Sequence, residues 1–340
     1  MTEILNHEFR HIQAAHCENG VTTSLLHNHG LDFLTEPLAF GMGSGLFYVH
    51  IPFISLSNGP AISFRTMPGA IFSRTCKALG VSIQRKKFSS EIKAKEYLDD
   101  LISRGIPVGC QVGVFHLPYF PREYRFHFNA HNLIVFGKNG NNYLVSDPIM
   151  EMVTELTEEE LMKVRFAKGT LAPRGQAYYP VNFGAVNEGM IIKGIKSGIK
   201  REVRDMIRIP GPIAGVAGIG YTAKRIRKWR DQLGLKKAGL YLGQIVRMQE
   251  EIGTGGGGFR FLYAAFLEEA AEYLKMDELV SISEDFTKAG DKWRDSAIQM
   301  AGVYKGRLSA QSDFEDIADR LLEIKDIEKA AFQRLDKLKF

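Results

Sequence analysis

A predicted β-hairpin between His131 and Asp147 constrains the fold of this chain more than any other sequence feature. Residues 131–136 are mostly apolar β-forming residues, typical of a buried strand, and Tyr143-Leu-Val-Ser146 is the predicted return strand. If the loop is Lys138-Asn139-Gly140, with the glycine left-handed, His131 pairs directly with Asp147. Their Cβ atoms then lie about 5 Å apart on one face of the hairpin. A slip of one residue would place them on opposite faces, so this prediction depends on the register.

A cysteine, Cys17, lies where a helix is predicted to begin. Apolar residues follow it at helical spacing, and Gly30 supplies a C-terminal stop. A thiol in the first turn lies at the positive end of the helix dipole, near N–H groups that stabilise a thiolate or an oxyanion. With His131 as the base and Asp147 orienting it, these are the candidate catalytic residues of cysteine-dependent acyl chemistry. The alternative is an ordinary cysteine and a hydrogen-bonded core histidine.

Several short segments, taken together, resemble a known family. The segments in the first half are His16-Cys-Glu-Asn-Gly20, Glu36-Pro-Leu-Ala-Phe-Gly-Met-Gly-Ser-Gly-Leu46, Gly105-Ile-Pro-Val108, His131-Asn-Leu-Ile-Val135 and Asp147-Pro148. They resemble the N-terminal domain of the butirosin biosynthesis protein H family. The later segment Gly253-Thr-Gly-Gly-Gly-Gly-Phe-Arg260 is similar to the signature of the helical domain that follows it in that family. The resemblance covers nearly the whole chain.

The resemblance implies an acyltransferase with a papain-like core, similar in fold to double-glycine leader peptidases. The butirosin protein moves an aminoacyl group from an acyl carrier protein thioester to an amine on an aminoglycoside. Carried over to this chain, Cys17 accepts the acyl group, His131 shuttles the proton and Asp147 holds His131. The implied donor is the phosphopantetheine arm of an acyl carrier protein, the acceptor is a small amine, and no cofactor is bound permanently.

One position departs from the papain-like pattern. Such enzymes usually carry a glutamine about six residues before the cysteine, where its side chain helps to bind the oxyanion. This chain has His11 at that position, and its nearest glutamine is Gln13. Gln13 is therefore a candidate substrate-binding residue, while the backbone N–H of Cys17 is the expected oxyanion donor.

Two regions of the chain differ in hydrophobic patterning and predict an α+β fold. Up to about residue 186, helical and strand patterns alternate, and a strand around Tyr178 is predicted to return to the first sheet. Beyond it, apolar residues recur at spacings of three and four, which predicts a helical bundle. We expect a papain-like, cysteine-peptidase-type domain over 1–186 and a mostly α-helical domain over 187–340.

The glycine run in the predicted helical domain is a second candidate site. Exposed N–H groups ahead of a helix favour anions, so Gly255, Gly256 and Gly257 are candidate ligands for the phosphopantetheine phosphate or for the amine acceptor beside it. Arg260 is expected to add charge-assisted bonds. The alternative is a flexible turn where glycine allows close helix packing. The Lys-Ser/Thr of a Walker loop is missing, so a nucleotide is disfavoured.

Four more residues are candidate substrate ligands. Gly43 and Ser44 belong to a glycine-rich loop that either lines an acyl channel or forms a tight structural turn. Glu18 either points away along the helix or binds a cationic acceptor, because a carboxylate beside the thiol opposes thiolate formation. Glu36 is the fourth.

The formal net charge of +5 is concentrated between Lys193 and Lys237. Such a region fits an anionic acyl carrier protein by electrostatic complementarity, and solvated helix faces are the alternative. Nucleic acid is disfavoured, because aromatic interleaving and recognition motifs are missing. A long helix predicted over 313–332 allows a homodimer seam, although packing within the chain is the commoner use.

Cysteine usage and hydropathy indicate the expected compartment. Three cysteines without paired spacing, Cys17, Cys76 and Cys110, indicate neither a disulfide framework nor a zinc site. The N-terminus has no charged-then-apolar leader, and the longest apolar run, around 207–221, is too broken to span a bilayer. We expect a cytoplasmic protein without a metal or a transmembrane segment.

Two other functions fit the same residues. One is a hydrolase of the same fold that cuts amides or thioesters, which product analysis with and without amines distinguishes from a transferase. The other is a non-catalytic module that binds carrier protein or lipid, in which Cys17 would react with a thiol probe no faster than the other cysteines.

Overall fold

Two compact units make up the chain. The computed structural model describes residues 4–6, 9–56 and 59–340. The first unit comprises Met1–Ala39 and Ile71–Met190, and the second comprises Phe40–Ala70 and Ile191–Phe340. The last transition falls close to the predicted boundary between 186 and 187. Residues 40–70, although they lie inside the predicted first domain, belong to the second unit.

Strands and helices alternate in the first part of the chain and helices follow. The described strands are β1 (Ile4–Asn6), β2 (Leu46–Leu56), β3 (Gly59–Arg65), β4 (Ser82–Lys86), β5 (Val108–Val112), β6 (His131–Asn139), β7 (Asn142–Ser146), β8 (Thr154–Thr157) and β9 (Ala177–Val181). The described α-helices are α1 (Cys17–His27), α2 (Glu36–Met42), α3 (Ala70–Ala78), α4 (Glu91–Ser103), α5 (Glu158–Arg165), α6 (Glu188–Val203), α7 (Gly215–Leu233), α8 (Leu235–Val246), α9 (Arg260–Leu274), α10 (Glu278–Tyr304) and α11 (Gln311–Lys337). The chain is therefore mixed α and β, with a sheet-containing first unit and a mostly helical second unit.

An antiparallel sheet forms the centre of the first unit. In the part of the chain that the structure describes, its strands run in the order β4, β9, β5, β6, β7 and β8, and β1 pairs with the end of β6. The predicted return of β9 to this sheet is confirmed, because β9 pairs with both β4 and β5. Buried apolar residues of β5 and β6, such as Val112 and Leu133, pack with Leu98 of α4 to form the core.

The register of the β6–β7 hairpin differs from the sequence prediction. Val135 pairs with Val145 rather than with Tyr143, and the loop has two residues between the paired Asn139 and Asn142. A bulge after Val135 shifts the pairing between the loop and the open end of the hairpin. Sequence patterning fixes the face of a strand, but it does not place a bulge.

The predicted direct pairing of His131 with Asp147 is therefore wrong by two residues. A shift of two, unlike a shift of one, keeps both side chains on the same face of the sheet. Diagonal neighbours remain within reach of long or aromatic side chains. The glycine at the loop, Gly140, has a φ of +60°, the left-handed conformation that the sequence predicts for it.

Capping motifs define where the helices of the first unit begin. The His16 ring accepts the backbone N–H of Asn19 at 3.4 Å, which makes Cys17 the first residue of α1. Ser90 caps α4 in the same way. A capping box formed by Thr157 and a glutamate three residues later starts α5. The prediction that a helix begins at Cys17 is confirmed.

The second unit contains a β-hairpin that sequence patterns do not predict. β2 and β3 pair antiparallel, with a register shift after Ile51 that accommodates Pro52. Val49 of β2 also forms a bridge with Ala214, directly before α7. Around this hairpin the core is aromatic. Tyr48 of β2 packs edge-on against Phe64 of β3 and stacks on Trp293 of α10. A proline inside the segment masks its strand character in the sequence.

Candidate active site

Three side chains from distant parts of the first unit form one buried group, which we call the Cys–His–Asp cluster: Cys17, His131 and Asp147. Cys17 is the first residue of α1, His131 is the first residue of β6, and Asp147 directly follows β7. The Nε2 atom of His131 lies 2.7 Å from Oδ2 of Asp147. Cys17 lies close enough to His131 to act on the pKa of its ring. Because Nε2 binds Asp147, Nδ1 is the ring nitrogen left available for the thiol.

The electrostatic environment of the cluster favours a protonated His131. Burial disfavours the charged ring, but the charges of Asp147 and Cys17 and their hydrogen bonds outweigh it and raise the pKa of His131 from 6.5 to about 10. At neutral pH both ring nitrogens then carry a proton. A charged imidazole beside a thiol can give a proton to a leaving group. The cluster therefore holds a charged proton donor next to Cys17.

Asp147 is oriented by further donors. The Tyr119 hydroxyl donates to Oδ2 at 2.9 Å, and the backbone N–H of Ile149 donates to Oδ1 at 3.2 Å. Burial and the charge of Asp147 raise the pKa of Tyr119, so its hydroxyl keeps the proton that it donates. The ring of Phe120 packs edge-on against the ring of His131, with centroids 5.4 Å apart. The sequence holds no motif for Tyr119 or Phe120, which follow β5 in an irregular loop.

Glu36 fixes the backbone that leads into Cys17. Its carboxylate accepts the N–H of Ala15 at 2.9 Å and the N–H of His16 at 2.8 Å. Burial raises the pKa of Glu36, and these hydrogen bonds oppose the rise. The structure thus places this predicted substrate ligand beside the cluster as a backbone anchor.

Close packing sets the position of α1. The N–H of Ala14 donates to the carbonyl of Pro148 at 2.7 Å. A Cβ atom at Gly20 would lie 2.4 Å from Cβ of Pro148, so the helix approaches the residue after Asp147 through its glycine face. The end of the hairpin and the start of α1 are therefore held together by backbone contacts as well as by the cluster.

Glu18 is directed toward α3. Its Oε1 atom accepts the N–H of Ile71 at 3.0 Å and the N–H of Phe72 at 3.3 Å, both in the first turn of that helix. A carboxylate satisfies unpaired N–H groups at a helix start and complements the helix dipole. The structure thus gives this predicted substrate ligand a helix-capping position.

Neither Gln13 nor His11 belongs to the Cys–His–Asp cluster. Gln13 is exposed. The ring of His11 lies 2.7 Å from the Ser146 hydroxyl through Nδ1 and 3.0 Å from the Met150 carbonyl through Nε2. The position six residues before Cys17 therefore anchors the segment around β7, and a role of Gln13 toward substrate stays a prediction.

Asn132 brings an amide to the thiol, although no motif predicts it. Its Nδ2 atom lies 3.9 Å from Sγ of Cys17 and donates to the carbonyl of Ala130 at 3.1 Å. The Tyr178 hydroxyl donates to Oδ1 at 2.8 Å. The available signal is a polar residue in a strand predicted to be buried, because a buried amide requires hydrogen-bond partners.

The other two cysteines of the first unit lie outside the Cys–His–Asp cluster. Like Cys17, Cys76 and Cys110 are buried free thiols. Burial raises the pKa of Cys76 to about 12, and it also raises the pKa of Cys110. Both thiols therefore stay protonated at neutral pH and serve as internal controls for the reactivity of Cys17.

In the second unit, the glycine run already binds groups of the chain itself. The N–H of Gly257 donates to Oε1 of Glu250 at 3.1 Å, and the N–H of Gly256 donates to the Thr254 hydroxyl at 3.0 Å. A Cβ atom at Gly257 would lie 2.9 Å from Cα of Gly290 in α10. The run thus permits close helix packing, and a carboxylate of the chain takes the anion position.

Arg260 is buried and paired inside the second unit. Its Nε and Nη2 atoms donate to the Glu328 carboxylate at 2.8 and 2.9 Å, and Nη1 donates to the Gly258 carbonyl at 2.7 Å. Trp293 donates to the same carboxylate at 2.8 Å. Gly255, the remaining predicted ligand of the run, has a φ of +69°. The role of these residues toward a phosphate stays a prediction.

Gly43 and Ser44 lie in a tight turn of the second unit. The N–H of Gly45 donates to the carbonyl of Phe40 at 2.9 Å, and Ser44 has a φ of +49°. The Ser44 hydroxyl is buried and lies 3.4 Å from the Gly198 carbonyl. These contacts favour the structural interpretation of the loop, and its role as a channel wall stays a prediction.

Among the described residues there is neither a candidate metal cluster nor a helix suited to span a membrane. In the described ranges 4–6, 9–56 and 59–340, no set of three or more histidine, cysteine, aspartate or glutamate side chains is placed to hold a metal ion. Over the same part of the chain, no helix combines the length and the apolar character that crossing a bilayer requires.

Comparison with known proteins identifies both parts of the chain. Residues 16–148 match the family model described as butirosin biosynthesis protein H, N-terminal, a range that includes the whole Cys–His–Asp cluster. Residues 159–335 match the family model described as a domain of unknown function (DUF4872). A search of curated proteins gives no match. The chain therefore belongs to the butirosin biosynthesis protein H family, with its N-terminal domain followed by a DUF4872 domain.

Proposed function

We propose that the protein is a cysteine-dependent acyltransferase. It moves an acyl or aminoacyl group from an acyl carrier protein thioester, through Cys17, to an amine acceptor in the biosynthesis of a specialised metabolite or lipid. The observation that carries the proposal is the Cys–His–Asp cluster, in which a thiol at a helix start lies near an imidazole that is bound to a carboxylate. Family membership supports a biosynthetic role. Under this proposal the first unit has a papain-like core.

The first half-reaction transfers the acyl group to the enzyme. The Sγ thiolate of Cys17 attacks the thioester carbonyl carbon, and the electrons of the carbonyl double bond move to its oxygen. When the tetrahedral intermediate collapses, the bond to the donor sulfur breaks, and His131 gives its proton to the departing thiolate. The products are acylated Cys17, a free donor thiol and a neutral His131.

The second half-reaction transfers the acyl group to the amine. His131 accepts a proton from the amine as its nitrogen attacks the acyl carbon. Collapse of this intermediate breaks the bond to Cys17, releases the amide and restores the thiolate–imidazolium pair. Asp147 keeps the ring oriented and stabilises its charge in the resting state. Exchange of a thioester onto a thiol is nearly isoenergetic, so the enzyme must mainly exclude water, and the 4% exposure of Cys17 fits this need.

An acyl carrier protein, through its phosphopantetheine arm, is the proposed donor partner. The segment from Lys193 to Lys237 offers positive charge for such an anionic partner, although Arg204 and Arg208 in it face aspartates. Exposed lysines without such a compensating partner among the ion pairs of the described residues carry the remaining charge: Lys193, Lys200, Lys224, Lys228, Lys236 and Lys237. Docking through these lysines would weaken as salt is added. The three free thiols suit a reducing compartment, and we propose the cytoplasm.

The experiment that tests this function is incubation with a panel of acyl carrier protein thioesters, with and without amines. The expected result is acylated enzyme without amine and an amide product when the amine is added. The alternative, a hydrolase of the same fold, would release free acid at the same rate whether or not amine is present. Absence of both acylated enzyme and product across the panel would favour a binding module instead.

A further inference from the structure

An amide side chain lies beside the thiol with both of its ends fixed. We propose that Asn132 is a catalytic residue that donates a hydrogen bond from Nδ2 to the oxyanion formed during acylation of Cys17; this inference rests on the acyl transfer proposed above. The glutamine usual in papain-like sites does not occur at the expected sequence position, where His11 instead binds the segment around β7. Asn132 reaches the sulfur from a different element, β6.

The orientation of the amide follows from its neighbours. The carbonyl of Ala130 can only accept a hydrogen bond, so the atom 3.1 Å from it must be Nδ2. Burial and the nearby charge of Glu18 raise the pKa of Tyr178 well above its ordinary value, so its hydroxyl keeps a proton to donate to Oδ1. One N–H of Asn132 is thus used by Ala130, and the second points toward Cys17.

The position of Nδ2 favours a hydrogen bond to the oxyanion over one to the sulfur of the resting protein. Nδ2 lies 3.9 Å from Sγ, a weak contact in the resting protein. An oxyanion donor must lie about 3 Å from the oxygen, and that oxygen is attached to the carbon that is bonded to Sγ. A hydrogen bond that is weak before the reaction and strong at the tetrahedral stage lowers the barrier rather than the ground state.

The chemical step balances with this donor. As Sγ of Cys17 bonds to the carbonyl carbon, the electron pair of the double bond moves to oxygen, and Nδ2–H of Asn132 donates to that oxyanion. The N–H of Cys17, in the first turn of α1, is the second donor, because helix geometry gives it no carbonyl partner within the helix. Asn132 transfers no proton, and its hydrogen bond weakens again when the carbonyl reforms.

The test compares two reactions of the same thiol in the full-length protein. Acylation by the acetyl thioester of N-acetylcysteamine passes through an oxyanion, whereas alkylation by iodoacetamide displaces iodide and forms none. In Asn132→Ala, acylation is expected to fall by about 10²–10³-fold, with alkylation changed only slightly. Tyr178→Phe keeps the ring that packs on Phe72 but removes the donor to Oδ1, and a smaller loss of acylation alone is expected.

Each outcome distinguishes this inference from the proposed function. A native protein that alkylates at Cys17 but accepts no acyl group contradicts the function itself. Native acylation that persists unchanged in Asn132→Ala overturns only the role of Asn132. Equal losses of acylation and alkylation in both variants would show that the amide acts on the thiolate, and they also overturn the oxyanion role. If Asn132→Ala fails to fold, Tyr178→Phe decides by the same comparison.

Discussion

Replacing Asp147 with asparagine is expected to remove the extra proton from His131 at neutral pH. Asparagine keeps the shape of the side chain and an oxygen for the Nε2–H of His131, but it carries no charge. In the native protein, burial lowers the pKa of His131, and the charges and hydrogen bonds of Asp147 and Cys17 raise it to about 10. The rise from 6.5 corresponds to about 5 kcal/mol in favour of the charged ring. Since burial persists while the largest raising contribution is lost, the ring is expected to be neutral at about pH 8 in Asp147→Asn.

NMR with isotope-labelled histidine measures the protonation of each ring, and a His131→Gln sample assigns the signal. Native His131 is expected to be protonated at about pH 8, and the ring in Asp147→Asn neutral. Asp99→Asn is a matched control, because Asp99 lies in the same unit and binds Lys95 and Lys138 instead. A neutral ring in the native protein, or a ring that stays protonated in Asp147→Asn, would contradict the effect of Asp147 on the pKa of His131.

The raised pKa also fixes the sign of the pH dependence of stability. Because the pKa of His131 is higher in the folded protein than in the unfolded chain, its contribution to the free energy of unfolding is fully present below about pH 6.5. The contribution is lost as pH rises through about 10. Denaturant unfolding across this window is expected to show a shallower pH dependence in Asp147→Asn, and an identical slope would contradict the assignment.

Three further substitutions test the supporting contacts by denaturant unfolding. Tyr119→Phe removes the hydroxyl donor to Asp147 but keeps the ring, so the free energy of unfolding is expected to fall by about 1.5–3 kcal/mol. Unchanged stability would contradict the contact. Gly20→Ala places a methyl group 2.4 Å from Cβ of Pro148, so the free energy of unfolding is expected to fall by about 1–3 kcal/mol and alkylation of the cysteine at the start of α1 to slow. Native stability and native alkylation would contradict the close packing of this helix. Arg260→Met leaves the buried Glu328 carboxylate without its cation, so the free energy of unfolding is expected to fall by about 3–5 kcal/mol. Unchanged stability would disprove the internal pairing.

Sequence order and turn signals suffice to predict the Cys–His–Asp cluster. Cys17 begins a helix, and the side chains of His131 and Asp147 lie 2.7 Å apart, while their catalytic role stays a prediction. The register within the hairpin is not recoverable in this way, because β6 is buried along most of its length and its sequence shows no alternation that would reveal the bulge after Val135. The error does not separate His131 from Asp147, because a shift of two residues keeps both side chains on the same face.

Residues that support the cluster are beyond the reach of sequence patterns. Tyr119 and Tyr178 bind partners that are distant in the sequence, and no local sequence pattern predicts these contacts. Asn132 is recognisable as a polar residue within a buried strand, but the sequence does not show that its amide lies beside Cys17. For the glycine run, the patterns indicate an anion at the turn, while the structure supplies Glu250 of the chain itself.

The most direct test of the central claim is the intact mass of the protein after incubation with an acyl carrier protein thioester. Native protein, Cys17→Ala, Cys76→Ala and Cys110→Ala are compared under identical conditions. A single acyl adduct is expected on the native protein, on Cys76→Ala and on Cys110→Ala, and none on Cys17→Ala. An adduct of undiminished amount on Cys17→Ala would contradict the role of Cys17, because the acyl group would then be carried by another residue.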